Sequence, residues 1–447
     1  MNQMGIIGRA PLTRNLRKYS LFRKAAVVLA PHDMVQMHMV HMVHTVKMVK
    51  PMFSLRRGYK VLAIESSCDD SCVALLDRDD KLNQTIVVDQ LKSTLDSAGS
   101  GGVIPTAAHL HHQENLSKLV SSLCMKHGLS HKSPPDLICV TRGPGMPGSL
   151  SIGTELAKGL SIAWNKPLIG VHHMLGHLLI LRLQNNGKSP EFPFLSLLVS
   201  GGHTLLVLSR NLLQHDILVD TLDIAAGDAL DKCAREIGIS GNMIGKELEK
   251  FLEENRNFLT QEILSKYKDI EFTMPLRNKP GRSNLEKFSF APFSGQTKKI
   301  LANKRNENLN MNLNSDLDLN LEFKTILGFK IQDSIFKHLL EKIQLSLKLD
   351  NFKELDNKIF TNVKEFVCSG GVGSNLYLRK LLKEGLPAFE KFHFPDPKLC
   401  TDNAIMIGWA GIELYEKYGL TSDLSITPLR KWPLTNITDV DGWIKKG

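Results

Sequence analysis

Residues 158–178, KGLSIAWNKPLIGVHHMLGHL, decide how this chain is read. An amphipathic helical stretch stops at Asn165-Lys166-Pro167, since a proline turns the residue before it away from helix, and the short apolar strand 168–171 follows. Next comes His172-His173-Met174-Leu175-Gly176-His177. If the chain is helical from Met174 to Arg182, His173 and His177 stand at i and i+4, roughly 5 to 6 Å apart at Cβ. Two imidazoles so placed reach one metal ion. Taken alone, such a pair is equally a surface or core feature of a helix. Its setting favours a ligand role: it opens a helix just after a strand, where α/β folds hold their ligands, and its neighbours are apolar enough to keep it dry. A zinc peptidase of the HExxH kind needs Glu directly after the first His. Met174 occupies that place.

The chain has 447 residues and is 42% hydrophobic, enough for a large core divided among two or three domains. No run of about 18 apolar residues is present, so the sequence offers no membrane span. The net charge of +10 is concentrated at one end. Residues 1–57 hold ten basic residues against the single acid Asp33, leaving 46 basic and 45 acidic residues for the rest. A nucleic-acid partner would therefore be met by a local patch, not by bulk charge. The acid-poor, Arg-bearing stretch 1–57 reads as a mitochondrial presequence or a disordered tail, with a Met/Val/His near-repeat at 35–48. Seven cysteines with no CxxC pair fit a reducing compartment such as cytosol or mitochondrial matrix.

Several strands run into turns rich in glycine or small polar residues. Strand 59–64 (YKVLAI) ends in Glu65-Ser66-Ser67-Cys68-Asp69-Asp70, a hydroxyl- and acid-bearing turn suited to phosphate, metal or a substrate hydroxyl. Strand 136–141 leads into RGPGMPG at 142–148 and then a helix, whose free N–H groups favour an anion; no GK[ST] follows, so this is not a Walker A loop. Strand 194–199 meets Ser200-Gly201-Gly202, and strand 363–368 meets Gly370-Gly371, a recurrence that points to two similar halves. Glycine at such turns lets a backbone approach a phosphate closely. His109, His111 and His112 open the helix near 110–129 and read as solvated helix-entry residues, with a supporting role near the site as the alternative. Asp228, Asp231 and Lys232 lie on a helical stretch, either as a solvated face or as ligand groups. Asp402 is a helix N-cap or a carboxylate aimed into a cleft. The Asn/Leu-rich stretch 302–322 reads as a loop or low-complexity insertion, with helix resuming near Phe323.

Taken in order, residues 65–70, 101–105 (GGVIP), 142–148, 158–178, 198–204 (LVSGGHT), 223–232, 370–375 and 400–403 (CTDN) resemble the universal tRNA threonylcarbamoyl transferases, in particular their mitochondrial branch. The resemblance covers nearly all of 60–447. It implies a two-lobed α/β fold of the actin/Hsp70/sugar-kinase type with a nucleotide and metal cleft between the lobes. A division into residues 58–190 and 191–447 goes with it. It further implies one divalent ion, iron or zinc first and magnesium as a further option, on His173, His177 and Asp402. Nucleotide and substrate contacts would fall on Leu198, Val199, Ser200, Gly201, Gly202, Asp231, Gly370, Gly371 and Asn375. The implied reaction moves threonylcarbamoyl from threonylcarbamoyl-AMP to N6 of adenosine 37 in tRNAs reading codons that begin with A. Asp69 is the candidate proton acceptor, with Asp70 and Glu65 as alternatives; a homodimer in the mitochondrial matrix is the expected setting. One departure stands out: where relatives carry Tyr-Pro-Gly-Gly-Pro, this chain has Ser240-Gly241-Asn242-Met243-Ile244-Gly245. The rival readings are an ATP-dependent small-molecule kinase of the same fold and a metallopeptidase.

Overall fold

A computed structural model describes residues 58–79, 81–97, 102–277, 286–310, 320–348 and 363–445. The presequence reading of 1–57, most of the glycine-rich link at 99–102 and the middle of the low-complexity stretch lie outside the described residues.

Two sheets carry the same plan twice. In the first, β1 (Tyr59–Glu65) pairs antiparallel with β2 (Asp70–Asp79), which pairs antiparallel with β3 (Gln84–Thr94). On its other side β1 runs parallel to β4 (Leu137–Gly143), and β4 parallel to β5 (Leu168–His172). In the second sheet β6 (Phe194–Val199), β7 (Thr204–Ser209) and β8 (His215–Thr221) form the antiparallel run. Two-residue β9 (Lys287–Phe288) extends it, while β10 (Glu365–Ser369) and β11 (Lys391–His393) add the parallel strands. The repeated order 3-2-1-4-5 is that of the actin/Hsp70/sugar-kinase type of fold implied by the family resemblance, with the two similar halves to which the glycine turns point. The chain then crosses back: β12 (Leu420–Ser422) and β13 (Trp443–Lys445) complete the first sheet beside β5. A division at 190/191 thus accounts for the strands only as far as β11.

Alternation along the strands explains how both faces are filled. In β1 and β4, Val61, Ala63, Leu137 and Cys139 face one core, while Leu62, Ile64, Ile138 and Val140 face another. Helices α1 (Pro105–His127) and α2 (Pro147–Trp164) supply Leu116, Leu123 and Ala157 to the second of these cores. The first core is closed by α3 (His173–Gln184) and by a helix late in the chain, Ala404–Tyr418. That helix lies hard against the sheet, because a Cβ on Gly411 would come within 2.3 Å of Cys139 Sγ. Gly176 gives α3 a similarly close approach to Met406. Each large apolar side chain buried here contributes roughly 1.5–3 kcal/mol.

Around the second sheet stand α4 (Ala226–Glu236), α5 (Ile244–Glu254), α6 (Gln261–Lys266), α7 (Ala291–Asn310) and α8 (Leu321–Lys348). They are followed by α9 (Leu376–Gly385), the single turn α10 (Pro397–Cys400) and α11, the helix Ala404–Tyr418. The expectation of a loop over 302–322 is corrected at both ends. Residues 302–310 continue α7 and α8 begins at Leu321, since leucine, lysine and glutamate there are sufficient helix formers.

Candidate metal and nucleotide site

The helix carrying the two histidines starts one residue earlier than Met174. His172 is its N-cap, with Nδ1 accepting from Met174 N–H at 3.1 Å and Leu175 N–H at 3.4 Å. His172 Nε2 donates to the Trp432 carbonyl at 2.9 Å, which fixes the tautomer. Burial pushes His172 down to about 3, so it caps as a neutral ring. With α3 anchored there, the His173 and His177 rings stand 4.8 Å apart.

Asp402 reaches them from across the sequence. The N-cap of α11 is the next residue, Asn403, whose Oδ1 accepts from Met406 N–H at 2.9 Å. The Asp402 carboxylate is therefore released from capping and faces the histidines. Its Oδ1 lies 3.0 Å from His177 Nε2 and 3.6 Å from His173 Nε2. Lys92 Nζ donates to the Asp402 carbonyl at 3.0 Å, pinning the turn. The three donor atoms lie within 4.8 Å of one another, an arrangement able to hold a metal ion.

The chemistry of this donor set fits one divalent ion: two Nε2 atoms and a carboxylate leave coordination positions open. His173 also has the carboxylate support typical of metal-bound imidazoles, with Nδ1 3.2 Å from Glu65 Oε2 and 3.1 Å from Ser67 Oγ. Glu65 is wholly buried and accepts from Ser67 N–H at 2.6 Å and from the Thr141 hydroxyl. Burial opposes a charge on His173, yet Glu65 and Asp402 outweigh it and push the ring up to about 9. Burial likewise opposes ionisation of Asp402, but the two imidazoles hold its carboxyl well below the usual range. His177 Nδ1 is buried without a hydrogen-bond partner, so its ring is oriented by the helix and Asp402.

Of the three acids in the β1–β2 turn, only Glu65 touches the trio. Asp69 is half-buried at the tip, its carbonyl accepting from Leu95 N–H at 3.1 Å. Asp70 is tied to β3, accepting from Lys92 Nζ and Thr94 Oγ1 at 2.5 Å each, and burial lifts it to about 6.

The glycine turns sit at equivalent ends of the second sheet. Leu198 and Val199 bury their side chains in β6, so only their backbone can serve a ligand. Ser200 Oγ accepts from Gly202 N–H at 3.2 Å and His203 N–H at 3.0 Å, holding the turn. Gly201, Gly202 and Gly371 face open space where a Cβ would stand. Gly370 adopts φ +94°, and a Cβ there would meet the Val199 carbonyl at 2.4 Å, so this crossing of β6 and β10 requires glycine. Ser369 Oγ donates to the His177 carbonyl at 3.2 Å, joining this end of the second sheet to α3. Two expected contact residues are engaged within the protein. Asn375 caps α9 by accepting from Leu378 N–H and donates to Gln332 Oε1 at 2.9 Å. Asp231 Oδ1 accepts from Gly245 N–H at 2.8 Å, closing the divergent 240–245 turn onto α4, while Asp228 pairs with Lys232 on the outer face.

Some neighbours escaped the sequence reading. His112 is corrected from solvated to fully buried: it binds the β1–β2 turn through Ser71 Oγ at 2.7 Å and the Cys68 carbonyl at 2.9 Å. Thr141 carried no signal beyond its place at a strand end. His203, inside a quoted motif, puts its ring 6.4 Å from His173, and burial keeps it neutral at about 4.

The family model described as tRNA N6-adenosine threonylcarbamoyltransferase matches residues 86–409. The chain is 36% identical over 412 residues to the mitochondrial tRNA N6-adenosine threonylcarbamoyltransferase of Schizosaccharomyces pombe, covering 89% of this chain and 92% of that relative. Among solved structures it is similar to the activator of 2-hydroxyisocaproyl-CoA dehydratase from Clostridium difficile with bound ADPNP, at 13% identity and TM-score 0.40, over 80% of this chain and 96% of that one. It is also similar to HypF of T. kodakarensis, at 12% identity and TM-score 0.45, over 80% and 48%.

Proposed function

Because the chain belongs to the tRNA N6-adenosine threonylcarbamoyltransferase family, whose members are transferases acting on tRNA, we propose that it transfers the threonylcarbamoyl group of threonylcarbamoyl-AMP to N6 of adenosine 37. The tRNAs concerned are those reading codons that begin with A, and AMP leaves. The observation that carries this reading is the meeting of His173, His177 and Asp402 beside two open glycine turns.

An exocyclic adenine amine is a weak nucleophile, so transfer needs an activated donor and close orientation of both partners. In the step, the N6–carbamoyl bond forms, the bond from the carbamoyl carbon to the phosphate oxygen breaks, and the amine loses one proton. Asp69, at the tip of the β1–β2 turn, takes that proton; Asp70 is already committed to Lys92 and Thr94. Glu65 fixes the His173 ring and does not itself meet substrate. His173, His177 and Asp402 hold one divalent ion, iron or zinc in the first place and magnesium in the second. Such an ion, when bound, supplies Lewis acidity toward the carbamoyl and phosphate oxygens.

The backbone N–H of Gly201, with those of Gly370 and Gly371 on the neighbouring strand end, receives the adenylate phosphate, while Ser200 and Gly202, whose N–H groups are spent within the turn, shape it, and Leu198, Val199, Asp231 and Asn375 line the remainder of its site. The anticodon loop offers its base single-stranded, as such a pocket requires. The 36% identity to a mitochondrial relative supports a mitochondrial location; within it the protein is placed in the matrix and works as a homodimer, and sedimentation as monomer alone at micromolar concentration would remove the dimer. No helix among the described residues is long and apolar enough to cross a membrane. Incubation of the purified protein with threonylcarbamoyl-AMP and unmodified tRNA, followed by nucleoside mass spectrometry, tests the reaction. Threonylcarbamoyladenosine and an equivalent of AMP are expected; unchanged tRNA in the presence of metal-loaded, folded protein would overturn it.

A further inference from the structure

The tail segment 426–434, ITPLRKWPL, forms a strap across the carboxyl ends of β4 and β5, the edge at which α/β sheets hold ligands. Two consecutive residues are bracketed by pins at Leu429 and Trp432. On one side Leu429 N–H donates to the Arg142 carbonyl at 2.8 Å, and Arg142 Nε donates to the Thr427 carbonyl at 3.0 Å. The Leu429 carbonyl lies so close to Gly143 that a Cβ there would be 2.1 Å away. On the other side the Trp432 carbonyl accepts from His172 Nε2, and the Trp432 ring is buried 4.8 Å from the His172 ring.

Both pins are strand ends that adjoin the proposed site. His172 precedes the ligand His173. Gly145, two residues beyond Gly143, packs on the Ser67 carbonyl, and Ser67 Oγ is 3.1 Å from His173 Nδ1. Between the pins Arg430 and Lys431 are exposed. Neither side chain makes an ion pair or hydrogen bond among the described residues. Two cations without counter-charges are thus fixed at the rim of the site in a chain whose sequence beyond residue 57 is otherwise nearly neutral.

We infer that Arg430 and Lys431 are a phosphate-binding clamp for the tRNA backbone, holding the anticodon arm while its base enters the site. This rests on the proposed tRNA transferase reading and adds the contacting surface to it. Backbone contacts of this kind position the nucleic acid and weaken with salt, because each neutralised phosphate releases counterions.

The test compares the full-length, metal-loaded protein with the double variant Arg430→Gln, Lys431→Gln, using one unmodified tRNA across a salt series. Loss of two phosphate contacts makes the slope of log affinity against log salt shallower by about 1.4 to 1.8 units. The expected kinetic effect is a rise in KM for tRNA of about tenfold, with KM for threonylcarbamoyl-AMP, metal content and melting temperature unchanged. Lys431→Arg, which keeps the charge, retains wild-type tRNA affinity. An unchanged slope and unchanged tRNA affinity in the folded double variant would overturn the clamp. The failure of the transferase reading looks different: a wild type that binds tRNA with strong salt dependence yet forms no threonylcarbamoyladenosine.

Discussion

Replacing Glu65 by Gln removes a charge without changing shape, and the surroundings dictate how the new amide must sit. Oε1 receives the backbone N–H of Ser67 at 2.6 Å, a donor that cannot turn away. The glutamine oxygen is therefore held at that position and its NH2 occupies the place of Oε2. Two groups face it there, the Thr141 hydroxyl and His173 Nδ1 at 3.2 Å. The hydroxyl adapts by rotating to accept, whereas the imidazole adapts only by presenting a bare Nδ1. Its proton then resides on Nε2, the atom directed at Asp402 Oδ1, and that atom is blocked as a ligand. Losing the supporting carboxylate costs 10- to 100-fold in metal affinity by general experience, or about 1.4–2.8 kcal/mol. The metal-free fold should lose about 1–3 kcal/mol, since the buried Thr141 hydroxyl, in turning to accept, gives up Glu65 as the acceptor of its own proton. Zinc affinity measured by chelator competition, alongside melting of the metal-free protein, provides the assay. A variant that binds zinc within twofold of wild type and melts normally would refute the reasoning.

Asp69→Asn should abolish transfer while metal content and AMP binding stay near wild type in elemental analysis and calorimetry; a failure to fold would make Asp69 structural instead. Gly370→Ala should cost at least about 2 kcal/mol in denaturant melts, because a Cβ at φ +94° meets the Val199 backbone. Gly201→Ala has open space around it and should melt like wild type, yet bind AMP more weakly if the phosphate approaches that turn. His338 is buried against Phe290 and Phe293, and burial pushes it down to about 4 from the unfolded value near 6.5. With the folded pKa depressed, its neutral form stabilises the protein fully above pH 6.5, and this stability is lost as pH falls towards 4. The stability advantage of wild type over His338→Gln should therefore shrink by roughly 3 kcal/mol across that window in denaturant melts; a constant difference would show that His338 does not titrate.

What the sequence made legible follows from how local its signals are. The all-apolar strands and the glycine turns after them are contiguous signals, and each marks a strand end in the structure. The i, i+4 histidine pair was readable for the same reason. Asp402 and Asn403 were not separable by sequence, since both residue types cap helices and they are adjacent; only the bond from Met406 N–H to Asn403 decides it. His112 escaped because its neighbours in the chain are polar and mostly solvent-facing, while its partners, Cys68 and Ser71, are some forty residues away. Strands β12 and β13, three residues each, are too short to show a period, so the return of the tail to the first sheet gave no local sign. Glu65 was visible as a site residue, but its attachment to His173, 108 positions along the chain, was not.

The claim on which the rest depends is that His173, His177 and Asp402 share one ion. Elemental analysis of the purified protein beside Asp402→Asn measures this directly. One divalent ion per wild-type chain, falling to a small fraction in the folded variant, is the predicted result. Equal metal content in the two proteins would contradict it.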